Sequence, residues 1–60
     1  MLNTLPQDPF MLASYINTLL RDRYTSLEEL CLSLDINCVE LEEKLRSIGM
    51  KYNALFNRFY

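Results

Sequence analysis

The chain has 60 residues, a formal net charge of −2, half of its residues apolar and a single glycine. That length allows one domain at most, and such a domain buries only about 60% of the surface its unfolded chain exposes, so its core is thin. The apolar content excludes a disordered chain, and the acidic balance disfavours a nucleic-acid binder, whose phosphate affinity comes from Lys and Arg.

The lead-in, residues 1–7, is expected to be loose, with Leu2 and Leu5 packing back on the core. The opening MLNTLPQDPF lacks the basic flank and apolar centre of a signal peptide. No apolar run approaches the ~20 residues that span a bilayer. The expectation is a cytoplasmic chain, complete in itself, with no membrane contact.

Asp8 is a good N-cap, and Pro9 stands at the first helical position, where its missing N–H costs nothing. A first helix is predicted over about 9–24. At 100° per residue, Leu12, Ala13, Tyr15, Ile16, Leu19 and Leu20 share one broad face, and Ser14, Asn17, Thr18 and Arg21 share the other. Ser26 begins a second helix, about 27–34, with a capping box in which Glu29 reaches back. Leu27, Leu30, Cys31 and Leu34 form its apolar face, and Cys31 suits the place where a third helix crosses closely. Asp35 and Ile36 break this helix. Asn37 caps a third, about 38–48, with Glu40 as the reciprocal partner. Its stripe is Cys38, Leu41, Leu45 and Ile48, and Gly49 is the expected left-handed terminator.

The tail changes period. Met50 and Tyr52 alternate with Lys51 and Asn53, and Arg58 alternates with Phe59, which predicts two very short strands over about 50–59. An isolated hairpin is barely stable in water, so this one must lean on the helices, with Tyr52 and Phe59 as anchors. The whole is expected to be one mainly-α domain, 1–60: a three-helix bundle whose second and third helices are helix-turn-helix-like, closed by a small C-terminal β-hairpin. The order of elements resembles a miniature winged helix.

The chain also resembles a family of short bacterial proteins, the domain-of-unknown-function family numbered 4250. The resemblance is carried by LPQDPFMLASYINTLLRD (Leu5 to Asp22), SLEEL (Ser26 to Leu30), LEEKLRSIGMKYN (Leu41 to Asn53) and N-R-F (Asn57 to Phe59). The chain departs from that family at the hairpin loop, where Ala54-Leu55-Phe56 is less acidic and polar. The resemblance implies a compact cytoplasmic bacterial domain. It carries no activity or ligand, so it assigns no functional residue.

Two function classes remain. In a DNA-binding helix pair, the outer face of the third helix meets the major groove. That face here carries Val39, Glu40, Glu43, Arg46 and Ser47, with Glu42 and Lys44 at its edges. Three glutamates beside phosphates are repulsive, leaving Lys44, Arg46, Lys51 and Arg58 as the contacts of a winged-helix-like DNA-binding regulator, and Arg21 and Arg23 as further phosphate contacts. The plainer reading is a solvated face with i,i+4 pairs Glu40–Lys44 and Glu42–Arg46. The other class is a protein contact, by an unknown partner or by self-association. Leu32, Val39, Leu55 and Phe56 fall off the core stripes, as does Met11, and Leu32 and Val39 flank one turn. Phe56 has a competing place as core beneath the hairpin, which is the expected one.

Catalysis has little support. There is no His, and no carboxylate pair falls in an evident cleft. Cys31 and Cys38 cannot complete a four-ligand zinc site. A disulfide between them is open in principle, but nothing in the sequence points to an oxidising compartment. Cys38, at a helix start, lacks a base partner and is expected to be a packed thiol. Tyr15, Tyr24, Tyr52 and Tyr60 read as core-edge aromatics with wet hydroxyls. No cofactor, metal or catalytic residue is expected, and the function expected of the chain is that of a non-catalytic protein-interaction module.

Overall fold

The computed structural model describes residues 5–60. Leu2 lies outside the described residues; Leu5 packs against the core as expected. Three helices, α1 (Pro9–Asp22), α2 (Leu27–Leu34) and α3 (Cys38–Arg46), are followed by two strands, β1 (Tyr52–Asn53) and β2 (Arg58–Phe59). The fold is therefore a mainly-α three-helix domain with a C-terminal antiparallel hairpin. Among the described residues no helix is long and apolar enough to cross a membrane.

Each helix starts where its cap dictates. Asp8 Oδ2 accepts from Met11 N–H at 3.0 Å, Ser26 Oγ from Glu29 N–H at 3.1 Å, and Asn37 Oδ1 from Glu40 N–H at 3.1 Å. The reciprocal halves of the two boxes differ from expectation. Glu29 reaches past Ser26 and takes the N–H and hydroxyl of Thr25, at 2.8 and 3.0 Å, which lowers its carboxyl pKa. Among the described residues Glu40 makes no return bond; its exposed carboxylate has water as an equal partner.

The helix ends are also local. α2 stops at Asp35, which adopts a left-handed conformation at φ 57°. Asp35 N–H then donates to Leu32 O at 3.3 Å and Ile36 N–H to Cys31 O at 3.0 Å, the paired bonds of a Schellman ending. α3 stops at Arg46 instead of running to residue 48, for the same reason. Gly49 turns left-handed at φ 83°, Gly49 N–H donates to Arg46 O at 2.9 Å and Met50 N–H to Leu45 O at 3.0 Å. α1 ends at Asp22, short of Tyr24: Arg23 N–H still makes the helical bond to Leu19 O at 2.8 Å, but Tyr24 N–H donates to Leu19 O as well, at 3.0 Å, instead of to Leu20 O.

The core draws on every helix and on β2: Leu12, Ala13, Ile16 and Leu20 from α1, Leu27, Leu30 and Cys31 from α2, Leu41 and Leu45 from α3, and Phe59. Leu19, Leu34, Cys38, Ile48, Met50 and Tyr52 pack against it. The apolar face of α1 is narrower than its helical wheel suggests. Tyr15 lies at its edge and is exposed.

A Cβ at Gly49 would meet nothing within 4 Å, so its requirement is purely one of backbone conformation. Gly49→Ala is expected to destabilise the fold by about 1 kcal/mol through left-handed strain. Urea denaturation of the two proteins checks this, with Gly49→Asn expected to fall between them.

Candidate functional site

The candidate surfaces are set by how the hairpin is held. Lys51 and Tyr60 exchange both backbone bonds at 3.0 Å, and Tyr52 stands opposite Phe59 in the same ladder. In an antiparallel pair the next residue along turns its N–H and C=O to the other edge. Phe59 therefore aims both groups away from β1, toward α1, where a two-stranded sheet has no third strand. The side-chain amide of Asn17 fills that place: Phe59 N–H donates to Asn17 Oδ1 at 2.7 Å and Asn17 Nδ2 donates to Phe59 O at 2.9 Å. The helical wheel puts Asn17 on the solvent face of the first helix; in the folded chain it is a half-buried strand mimic.

A second asparagine completes the clip. Asn57 is left-handed at φ 54°, a conformation that Asn tolerates better than most residues. Its Nδ2 donates to Leu20 O at 3.0 Å and Tyr24 O at 2.9 Å, and its Oδ1 accepts from Tyr52 Oη–H at 2.6 Å. Tyr52 Oη in turn accepts from Leu27 N–H at 3.3 Å. One side chain thus joins the end of α1, the start of α2 and the hairpin. The Tyr52 hydroxyl is consequently not wet, and Tyr24 Oη likewise has a protein partner, Ser33 Oγ at 2.8 Å. The loop between the strands is closed by an Asx turn, Phe56 N–H donating to Asn53 Oδ1 at 3.0 Å.

This closure turns the loop's apolar side chains outward. Leu55 is 84% and Phe56 63% exposed. The place expected for Phe56 beneath the hairpin is taken by Phe59, which is fully buried, with its ring 5.5 Å from that of Tyr52. Phe56 stacks instead toward Tyr60, centroids 6.3 Å apart. Leu32 and Val39 are 77% and 61% exposed, on α2 and α3 either side of one three-residue turn. The two apolar pairs do not merge. Ile36 and Asn37, from the α2–α3 turn, line a groove with Leu12, whereas Phe56 and Asn57 line one with Leu20. Leu12 and Leu20 are eight residues apart on α1, about 12 Å at the helical rise.

The cations are divided in the same way. Lys44, Arg46, Lys51 and Arg58 are all exposed, but they border three different grooves. Lys44 lies with Glu40 and Leu41, Arg46 and Lys51 with Glu42, and Arg58 with Thr18 and Arg21. Arg58 also covers the Tyr60 ring, 5.4 Å from its centroid. The expected pairs Glu40–Lys44 and Glu42–Arg46 are not closed; among the described residues the ion pair is Arg21–Asp22 at 2.8 Å. Its hydrogen bond holds the Asp22 carboxyl below its ordinary value. Holding two long exposed side chains in one geometry costs entropy that a solvent-screened attraction barely offsets.

The described residues contain no cluster of three His, Cys, Asp or Glu side chains placed for a metal ion. Cys31 is buried and Cys38 half-buried, both as free thiols, with Cys38 Sγ 2.6 Å from Cys31 Sγ.

A family model described as a domain of unknown function (DUF4250) matches residues 6–59. The chain belongs to this family. The matched span contains all five elements and both asparagines of the clip. No curated protein and no solved structure matches the chain.

The asparagines are the residues that helical periodicity missed. Asn17→Ala is expected to destabilise this DUF4250 domain by about 2–3 kcal/mol, since it strands two backbone groups of Phe59. Asn57→Gly retains the left-handed backbone and isolates the loss of three hydrogen bonds, at a similar cost. Denaturant titrations measure both; a loss under about 0.5 kcal/mol for Asn17→Ala, as for an ordinary surface change, contradicts the strand-mimic role.

Proposed function

We propose that the domain is a non-catalytic interaction module of a bacterial cytoplasmic protein, binding a protein partner or a second copy of itself. The observation that supports this is the exposure of Leu32 and Val39 on adjoining helices, beside a turn whose backbone is held by its own caps. Two branched aliphatic side chains on a rigid corner present apolar area at little conformational cost on binding. Leu55 and Phe56 form a second, separate apolar projection at the hairpin tip. The acidic exterior would then serve solubility and discrimination among partners.

Leu32→Asp and Val39→Asp are each expected to abolish association while leaving the circular-dichroism spectrum unchanged. The measurement is sedimentation of the purified domain across a concentration series for self-association, and pull-down from the native cell for a partner. Association that survives both substitutions removes this surface from consideration.

A small DNA-binding regulator is the second reading, favoured by a helix pair with a three-residue turn followed by a hairpin. Lys44 shares its groove with Glu40, and Arg46 and Lys51 share theirs with Glu42, which weighs against it; Arg58 stands apart from them, in a groove with Arg21. On that reading Lys51→Glu and Arg58→Glu weaken duplex binding, and affinity falls steeply with salt. Fluorescence anisotropy with a labelled duplex at ~50 mM salt, where electrostatic affinity is strong, tests it; no binding there eliminates it.

A further inference from the structure

The two thiols have no part in that surface, yet their placement is specific. Cys31 faces the core from α2, and Cys38 is the first residue of α3. Between them the chain reverses in three residues, with Asp35 left-handed and Asn37 capping the next helix. The reversal brings the two sulfurs to 2.6 Å, with Cys38 Sγ also 3.8 Å from Leu27 O. An S–S bond is about 2.05 Å long, so side-chain rotation of roughly half an ångström closes the gap. No helix need move.

We propose that Cys31 and Cys38 form a dithiol modification site, which closes to an intramolecular disulfide across the α2–α3 turn by exchange with a low-molecular-weight disulfide of the glutathione class. The inference stands independently of the interaction surface. Half-buried Cys38 is the entry point, because buried Cys31 is shielded from reagents in solution. Burial, and next to it the Cys38 thiol, push the Cys31 thiol up to about 12, so little of it is thiolate and Cys38 is the sulfur that opens the exchange.

The exchange runs in two steps. Cys38 loses its proton to solvent and its thiolate attacks one sulfur of the small disulfide, whose S–S bond breaks. One small thiolate leaves and takes up a proton, and Cys38 is left as a mixed disulfide. Cys31 then attacks the Cys38 sulfur. The mixed S–S bond breaks, the second small thiolate leaves with the Cys31 proton, and the Cys31–Cys38 bond remains. Two electrons pass from the protein dithiol to the small disulfide, which becomes two thiols. The bond closes a loop of eight residues, Cys31 to Cys38, and restricts the unfolded chain, so the oxidised domain is expected to melt on the order of 10 °C higher.

The test incubates the reduced, folded full chain with excess oxidised glutathione, removes the glutathione, blocks free thiols with iodoacetamide in denaturant and reads the intact mass. The expected product is unalkylated, monomeric on a non-reducing gel and about 2 Da lighter than the reduced chain, the mass of two hydrogens. Treatment with reductant should restore two alkylatable thiols and the lower melting temperature. Cys38→Ser, checked for folding by circular dichroism, should show no loss of mass, and its Cys31 should be alkylated only after denaturation. Retention of two free thiols by the unmodified sequence overturns the proposal, as does arrest at a glutathione adduct or oxidation only to linked dimers.

Discussion

A two-stranded hairpin has two open edges, and this domain closes one of them with a side chain. The amide of Asn17 pairs with both backbone groups of Phe59, which lets β2 lie against α1 without a third strand. The remainder of the structure depends on that seat. Phe59 is the largest fully buried side chain in the core, and it reaches the interior only because its own N–H and C=O are satisfied on the way in. Burying such a ring stabilises by about 2–3 kcal/mol. Burying it with two unpaired backbone groups would cost as much or more. The asparagine decides the sign. For a chain of 60 residues, whose total stability is of the order of 3–9 kcal/mol, that is a large share.

The other constraint is economy of chain. α2 and α3 have 8 and 9 residues, too short to persist alone in water. Each is bounded by its own sequence, with a side-chain cap at the start and a left-handed residue following the end. These local devices set where the corner between the helices lies and how tight it is. The tight corner has two consequences on opposite sides. Toward the core it presses Cys31 and Cys38 together. Toward solvent it presents Leu32 and Val39. One backbone feature thus creates both the apolar corner and the thiol pair.

The exterior carries its charge without organising it. Acidic and basic side chains alternate around α3, and the cations are divided among three grooves, two of which also hold a glutamate. Affinity for phosphates grows with the number neutralised together, so dispersed cations contribute little to one duplex. Apolar contact has no such requirement. An exposed apolar side chain loses little freedom on binding when the backbone beneath it is fixed.

Much of this was legible in the sequence because much of it is local. Caps act over three residues, left-handed endings over six, and the apolar stripes repeat within each helix. Asp8, Ser26, Asn37 and Gly49, and the leucines of the core, could therefore be read from neighbours along the chain. The exposure of Leu32 and Val39 followed from the same periodicity. The functions of Asn17, Asn57 and the Tyr52 hydroxyl could not be read in that way. An asparagine on a helix facing away from the leucines has the pattern of a solvated residue, and its partner, Phe59, is 42 positions distant in the chain. Alternation in the tail marked Phe59 as an anchor, and it is buried; Phe56 was expected inside as well, and only the closure of the loop turned it outward. The sequence by itself determined the helices, their ends and their buried faces, since these depend on interactions a few residues long. The tertiary structure alone decided how the hairpin is seated, that Phe56 stays outside and that the two thiols meet, because each depends on groups whose approach is settled only when the helices have packed.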